Sequence, residues 1–561
     1  MIDVIDALIN KNKQTPMVEA FLAQTSSILG DDNILTGEDF EKSNSYFNTI
    51  ADRELMSFMN HNLMGDTSFN DFISSLPTET EPNPTFFKIY PSLSTIPANC
   101  VQIRVKIIYQ LNMICEKVLS IIDLSLAPKQ SIVADRLRYA KDYLLYQKKF
   151  ELLEESLEKT DMGNVYRPTV EFDPVKATIE SKNGENTMFY QAYEQLHKNA
   201  HRSFRNEDDH LWEATYVGMH SIDAGGPYRD SITCICSDIC STRLPLFILC
   251  PNGRANIGLN RDRWIPNVFP PNESIPDTFK NQYRFVGQLM GMAIRKKHYL
   301  DLKFPVFLWK QLAREQVTIE DIEAVDIQCF KIIKEMKANF AQDDLIDINV
   351  DINYLFSSIM SELRFEAVSS AGQSYELIPG GKEIPLTAAN FKDYCTKYHE
   401  YRLNEFNRQI EFIRQGLYSV VPCYYLSLFT ASELEETVCG KGHIDIELLK
   451  RNTRYGDSIN QDSPRIERFW TVLNEMFNDE QKKSFIIFVW GRSTLPRCNE
   501  EFTCKFLINP YYESPDEIDK VLPRSHTCTF TLDLPEYSTS DIMYQRLNYA
   551  ITNCSSIDGD G

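Results

Sequence analysis

Apolar residues between positions 102 and 160 recur with the spacing of an amphipathic helix. The first apolar face consists of Ile103, Ile107, Ile108, Leu111 and Ile114. Residues 134–158 carry a second apolar face with charges along its outer side, and this pattern predicts one continuous helix. We therefore expect residues 96–180 to form an α-helical block.

The segments on either side of this block are patterned differently. Residues 1–95 are polar and weakly patterned, and this N-terminal region of unknown role contains a linker rich in Ser, Thr, Pro and Glu. Beyond the block, short apolar runs predict strands at Leu211 to Val217 and at Leu246 to Cys250. Tyr228 to Cys240, which lies between them, has helical periodicity. The middle of the chain is thus expected to mix helices with short strands.

Three later segments have clear patterns. Residues 394–415 predict a long amphipathic helix, with Gly416 placed as its C-terminal cap. Phe485 to Trp490 is an uninterrupted apolar run with the length of a core strand. Ser540 to Asn553 places its apolar residues on one stripe and predicts a final helix.

A polar loop and an alternating segment meet at Cys528. Leu522-Pro523 is followed by small polar residues that predict a loop, and alternation up to Leu534 predicts a strand. On that strand Cys528 and Phe530 would share the apolar side. A lone cysteine in such a position is usually buried in the core. The pattern by itself is therefore compatible with Cys528 as a buried core residue or as a reactive residue.

Composition narrows the class of protein. The chain of 561 residues is long enough for several domains, and its formal charge of −21 disfavours nucleic acid as a partner. Its 14 cysteines are thinly spread and no secretory signal is expected at Met1, which predicts reduced thiols in the cytoplasm, with the nucleus as a second location. No apolar run reaches the roughly 18 residues that a membrane span requires.

One group of cysteines is denser than the rest, and it consists of Cys234, Cys236, Cys240 and Cys250. The group has no CxxC pair and no histidine at ligand spacing. We expect these cysteines to be structural residues of a buried helix, and we expect no metal site or cofactor.

The segment from Leu522 to Tyr537 resembles the active-site signature of HECT-type ubiquitin ligases. A Leu-Pro pair, the His526-Thr527-Cys528 triplet, a Leu-Asp-Leu-Pro run and a tyrosine occur in register. Further matches span about residues 190–555, and they include Asp223-Ala224-Gly225-Gly226-Pro227, Pro251-Asn252-Gly253-Arg254, Gly380-Gly381, Phe469-Trp470 and Phe488-Val489-Trp490-Gly491-Arg492. The helical block is similar to what precedes the HECT domain in the HERC and HECTD subgroups.

The resemblance implies an α+β fold with two lobes. A mostly helical N-lobe with small sheets would cover residues 190–439, and a smaller α/β C-lobe would cover residues 443–561. Gly440-Lys441-Gly442 would be the flexible hinge between them. Residues 312–406 occupy the place of the subdomain that docks the ubiquitin-conjugating enzyme. The α-helical region precedes both lobes.

The same resemblance implies that Cys528 accepts ubiquitin from a conjugating enzyme as a thioester and that substrate lysines then receive it. His526 and Thr527 would support the catalytic loop, and Asp533 and Asp558 are candidates for acid–base help. Ubiquitin, a conjugating enzyme and protein substrates are the expected partners, with no nucleic acid and no membrane span.

Three departures from the family pattern leave an alternative open. Thr529 follows the cysteine where phenylalanine is usual, residues 497–502 lack the usual Gly-Gly-Phe, and the tail lacks the family's terminal phenylalanine. The alternative is a catalytically weak or degenerate HECT scaffold that binds partners of the ubiquitin pathway. A papain-like protease is disfavoured, because no cysteine comes early in a papain-like sequence context with its histidine far downstream.

Overall fold

The computed structural model describes most of the chain, and the fold is α+β, as predicted. The described residues are 2–10, 16–24, 35–63, 68–119, 121–124, 129–163, 166–218, 226–340, 363–387, 389–442, 444–456, 459–491, 494–496, 499, 502, 504–511 and 515–553. They divide into two compact units, of which the first contains residues up to Thr160 together with Pro422–Glu433. Among these residues, no helix is long and apolar enough to cross a membrane.

The first unit is helical. Its helices up to residue 160 are α1 (Ile2–Asn10), α2 (Pro16–Ala23), α3 (Gly37–Tyr46), α4 (Thr49–Asn62), α5 (Phe69–Ser75), α6 (Ala98–Leu119), α7 (Ile132–Tyr139) and α8 (Tyr146–Glu158). One buried cluster contains Phe40 of α3, Phe58 of α4 and Val105 of α6. Residues on both sides of position 95 share this core, so the two regions that the sequence analysis separated there lie in one compact unit.

The continuous helix predicted over residues 134–158 is wrong. A short 3-10 turn at Lys141–Tyr143 separates α7 from α8. Asn112 of α6 satisfies the backbone groups that the break leaves open, because its amide donates to the Tyr143 carbonyl at 2.8 Å and accepts from the Leu145 N–H at 2.7 Å. A buried polar partner from another helix therefore makes the interruption stable.

The second unit begins with small sheets and many helices. Its first helices are α9 (Pro174–Thr178), α10 (Met188–Leu196), α11 (Ala200–Ser203), α12 (Gly226–Ile239), α13 (Pro251–Ala255), α14 (Asp277–Lys296), α15 (Val306–Leu312), α16 (Ile319–Glu323), α17 (Ile327–Phe340), α18 (Phe391–Asn404) and α19 (Asn407–Val420). Its strands form three two-stranded sheets, which are parallel β1 (Thr169–Phe172) with β2 (Glu213–Tyr216), antiparallel β3 (Phe247–Leu249) with β4 (Trp264–Pro266), and antiparallel β5 (Glu366–Val368) with β6 (Ser374–Glu376).

Gly416 is not a helix cap, in contrast to the prediction. The segment predicted as one helix is divided at residues 405–406, and Gly416 lies inside α19. A Cβ atom on Gly416 would lie only 2.7 Å from the carbonyl carbon of Arg284 in α14. The absent side chain thus lets the backbones of α14 and α19 approach each other closely.

The last part of the chain contains α20 (Cys423–Leu426), α21 (Ala431–Cys439), α22 (Ile446–Arg451), α23 (Pro464–Thr471), α24 (Asp479–Trp490) and α25 (Ser540–Asn553). A four-stranded sheet has the order β7-β8-β10-β9 and consists of β7 (Thr453–Tyr455), β8 (Phe506–Pro510), β9 (Arg524–His526) and β10 (Thr531–Leu534). Strand β8 is parallel to β7 and β10, whereas β9 runs antiparallel to β10.

The apolar run from Phe485 to Trp490 is the second half of α24, so its interpretation as a core strand is wrong. Asn478 and Gln481 form a capping box at the start of this helix, and Gly491 ends it with a φ of +69°. The helix packs against α25 and strands β9 and β10. Its second half is therefore covered on several sides and has few polar residues. The sequence of this half consequently lacks the polar face that usually identifies a helix.

Candidate active site around Cys528

Cys528 lies in a tight turn between two antiparallel strands. Strand β9 ends at His526, Thr527–Thr529 form a 3-10 turn, and β10 begins at Thr531. The structure describes the backbone of Cys528, whereas its side chain lies outside the description. The predicted loop is only partly present, because Arg524–His526 form strand β9. The alternating strand begins only after the cysteine, so Cys528 and Phe530 do not lie along one extended strand.

Phe530 reverses the chain and anchors the turn. Its φ of +51° is left-handed, a conformation that is strained for a bulky residue. Its ring is fully buried and stacks on Trp490 with a centroid distance of 4.1 Å, and it also contacts Phe506 at 4.8 Å. The ring stacking holds this backbone in place. Phe530 therefore secures the turn from the position after Thr529. Phenylalanine is usual in the family pattern at the position of Thr529 itself.

His526 and Asp533 form a pair beside the turn. Nε2 of His526 lies 2.8 Å from Oδ2 of Asp533. In the antiparallel register His526 faces Thr531 and Asp533 faces Arg524, so the two side chains meet across the strands. The histidine is 54% exposed and the aspartate 23%. The sequence analysis named both residues but not their pairing, which the register of the hairpin could have suggested.

The hydroxyl groups of Thr529 and Thr531 form hydrogen bonds within the turn. Thr529 Oγ1 donates to the His526 carbonyl at 3.3 Å and lies 3.0 Å from Thr531 Oγ1. Thr531 Oγ1 in turn lies 3.2 Å from the Thr529 carbonyl. Thr529, which departs from the family pattern, is thus part of the hydrogen-bonding that shapes the turn.

Arg229 of α12 contacts the same turn from a distant part of the sequence. Its Nη1 donates to the Thr527 carbonyl at 3.0 Å. Sequence analysis missed this arginine, because 298 residues separate it from Thr527 and no local pattern connects them. The carbonyl belongs to the peptide bond that leads into Cys528.

The segment predicted as a hinge contains one enclosed glycine and one open glycine. Gly440 follows α21 with a φ of +76°, and a Cβ there would lie 2.8 Å from Cβ of Thr494 and 3.2 Å from the ring of Tyr299. Nothing lies within 4 Å of the corresponding position on Gly442. Lys441, between them, is partly exposed.

The dense cysteine group lies in and around α12. Cys236 and Cys250 are buried, and Cys234 and Cys240 are partly buried. Burial raises the pKa of the Cys234 and Cys240 thiols to about 12 and that of Cys236 well above its ordinary value. Such thiols are protonated at neutral pH and react slowly. Within the described ranges, no cluster of three or more His, Cys, Asp or Glu side chains could hold a metal ion.

One predicted site residue, Asp558, lies with the rest of residues 554–561 outside the described residues. The structure therefore places His526, Thr527 and Asp533 around the backbone of Cys528 and adds Arg229 to them. Gly440, Lys441 and Gly442 follow the end of α21.

The chain is similar to known proteins over more than half of its length. The model of the HECT-domain (ubiquitin-transferase) family matches residues 233–558, which is more than half of the chain. Human E3 ubiquitin-protein ligase HERC2 is 35% identical over 350 residues, covering 62% of this chain and 7% of that protein. Human probable E3 ubiquitin-protein ligase HECTD4 is 26% identical over 495 residues, covering 82% of this chain and 12% of that protein.

A third relative, human E3 ubiquitin-protein ligase HECW2, is 28% identical over 346 residues. That alignment covers 61% of this chain and 20% of the relative. The chain thus spans a fifth or less of the length of these relatives.

Proposed function

Because the chain belongs to the HECT family of ubiquitin transferases, we propose that it is a ubiquitin-protein ligase with a thioester intermediate on Cys528. It accepts ubiquitin from a conjugating enzyme and transfers it to lysines of protein substrates. The observation that carries this proposal is the position of Cys528 in an anchored turn beside the His526–Asp533 pair. The lobes, the hinge and the docking segment at residues 312–406 are parts of the same proposal.

The first step is an exchange of one thioester for another. The Cys528 thiolate attacks the carbonyl carbon at the end of ubiquitin, a new C–S bond forms, and the cysteine of the conjugating enzyme leaves as a thiolate. The attacking and leaving groups are both thiols, so the exchange is close to thermoneutral. Because a thiolate is a strong nucleophile, this step does not need a strong general base.

The second step places a greater demand on the site, because a lysine amine is protonated at neutral pH and must lose a proton to attack. If Nε2 of neutral His526 donates to the Asp533 carboxylate, Nδ1 is the acceptor nitrogen of the ring. That nitrogen can take the proton from the attacking amine while Asp533 stabilises the charged ring. The amine forms an amide with ubiquitin, and the Cys528 thiolate leaves.

Asp533→Asn is expected to slow transfer to lysine at least about tenfold, because it removes the carboxylate that stabilises the charged ring of the base His526, and general-base catalysis contributes about 100-fold or more. Formation of the thioester should continue at the wild-type rate, since it does not require the base. A single-turnover assay with labelled ubiquitin and free lysine as acceptor measures both steps. Asp541→Asn, an exposed acid on α25, is the control. Equal lysine transfer by Asp533→Asn and wild type would contradict the role of the pair.

The two hinge glycines should respond differently to substitution. Gly440→Ala introduces a Cβ between Thr494 and Tyr299 at a left-handed φ, whereas Gly442→Ala introduces one into open space. We expect the first variant to slow lysine transfer several-fold and the second to behave like wild type in the same assay. If both variants transfer ubiquitin equally well, the enclosure of Gly440 has no part in the reaction.

A buried charge network gives the proposed docking segment its shape. Arg402 of α18 is fully buried and donates to Asp326 Oδ2 at 2.8 Å and to Ser370 Oγ at 2.9 Å. Glu405 accepts from the Ser370 N–H at 2.8 Å and from its hydroxyl at 2.7 Å. These bonds join α18 to the residues before α17 and after β5, and they fix these described parts of the proposed docking segment relative to one another.

The test of the proposed function is incubation with activating enzyme, a panel of conjugating enzymes and ubiquitin, followed by a non-reducing gel. A ubiquitin adduct that a reductant removes is the expected result, and it should persist in Cys423→Ala, which removes an exposed cysteine. Binding of a conjugating enzyme without any adduct would instead favour the degenerate scaffold. The thin spread of 14 cysteines along the sequence is the basis for the proposed cytoplasmic location.

A further inference from the structure

The backbone of α12 is held in place on both sides of Arg229. Arg229 lies in the first turns of α12, where the neighbouring Tyr228 is fully buried against Trp212. On its other side, Asp230 accepts a hydrogen bond from the Tyr216 hydroxyl at 2.7 Å, which ties α12 to β2. The Arg229 side chain therefore extends from a backbone that is fixed on both sides.

The turn that Arg229 contacts is the one that carries Cys528. The bond goes to the Thr527 carbonyl, and a hydrogen bond from a charged donor is stronger than one between neutral groups. The guanidinium is partly buried, and its Nε has no hydrogen-bond partner among the described residues. Arg229, which lies outside the hairpin, thus orients the peptide bond that precedes Cys528.

A cleft borders Arg229, and its lining includes Ile232, Thr233, His298, Ile487 and Gly491. Ile232 and Thr233 belong to α12, while Ile487 lies in α24 and Gly491 ends it. The hydrogen bond from Arg229 to the Thr527 carbonyl thus joins α12 to the turn beside this cleft.

We infer that Arg229 is a positioning residue that holds the Cys528 turn in the placement used for transfer to lysine. The inference rests on the proposed function, in which Cys528 must first meet a conjugating enzyme docked on residues 312–406 and afterwards a lysine. Helix α12 lies outside that docking segment. The placement in which the turn is hydrogen-bonded to α12 therefore belongs to the step after Cys528 has received ubiquitin. A hydrogen bond that forms in just one of two placements increases the population of that placement.

The test separates the two steps in the full chain. Wild type, R229M and R229K are loaded with labelled ubiquitin from a conjugating enzyme, further loading is stopped, and loss of the adduct to free lysine is followed. R229M keeps a similar aliphatic stem but removes the donor, so we expect adduct formation at no less than the wild-type rate and discharge to lysine about tenfold slower. R229K retains a charged donor and should discharge within about threefold of wild type. Tenfold corresponds to roughly 1.4 kcal/mol.

Each result has a distinct meaning. Discharge by R229M at the wild-type rate, equal impairment of R229M and R229K, or a parallel fall in loading and discharge would each overturn the role of Arg229. Absence of a thioester on the wild-type chain with every conjugating enzyme would overturn the proposed function, and this inference with it. Thermal unfolding of the variants provides a check on the fold, and R229K keeps the inference testable if R229M is unstable.

Discussion

Cys528→Ala is expected to eliminate both the ubiquitin thioester and all transfer to lysine. The thiol is the proposed acceptor of ubiquitin, and no water or hydroxyl group can replace a thiolate in thioester exchange at comparable rate. The variant should remain folded, because the Phe530 ring, packed on Trp490 and Phe506, anchors the turn. The non-reducing gel measures the adduct, and substrate or free-lysine modification measures transfer.

Two further variants sharpen this test. Cys528→Ser should trap a ubiquitin oxyester that resists reductant and is cleaved by base. Cys504→Ala, which removes another cysteine from the proposed C-lobe, should retain the wild-type thioester and is the matched control. Transfer of ubiquitin by Cys528→Ala at a measurable rate would show that the acceptor lies elsewhere.

Gly416→Ala is expected to destabilise the proposed N-lobe by about 3 kcal/mol or more, since overpacking of a tight contact costs amounts of this order. The new Cβ would lie 2.7 Å from the carbonyl carbon and 2.9 Å from the Cα atom of Arg284. Both are backbone atoms, so no side-chain rotation can relieve the clash and α14 must move away from α19. Denaturant unfolding followed by circular dichroism measures the loss.

The neighbouring Gln415→Ala is the control for this prediction. Gln415 is exposed on α19, and its side chain accepts a hydrogen bond from Arg284 Nε at 3.1 Å. Loss of that surface bond should change the free energy of unfolding by less than about 1 kcal/mol. A stability of Gly416→Ala equal to that of Gln415→Ala would show that the two helices are not in the close contact described.

Local patterns predicted the elements whose environment is simple. Helices α12 and α25 are present as expected, and so is strand β2 within two residues of its predicted start. In α12, Ile232, Ile235 and Ile239 are buried at helical spacing, and the sequence shows this spacing directly. The loop predicted before Cys528 is only partly correct, because Leu522 and Pro523 are irregular whereas Arg524–His526 pair with β10 as strand β9.

Predictions were wrong where a distant group changed the local preference. Asn112 stabilises the break between α7 and α8, and Arg284 of α14 explains why Gly416 is an interior residue of α19. The apolar run at the end of α24 resembles a core strand because the surrounding elements cover the helix on several sides. In each case the deciding partner lies far away in the sequence.

The sequence by itself determined the family, the candidate cysteine and its supporting residues, because these depend on residue identities in order along a short segment. Only the tertiary structure decided that Cys528 lies in a turn, that His526 and Asp533 are paired, and that Arg229 contacts the turn. Hydrogen bonds between side chains and distant backbone groups depend on how strands and helices pack. Packing at such distances is set by the whole fold, so no local pattern encodes it.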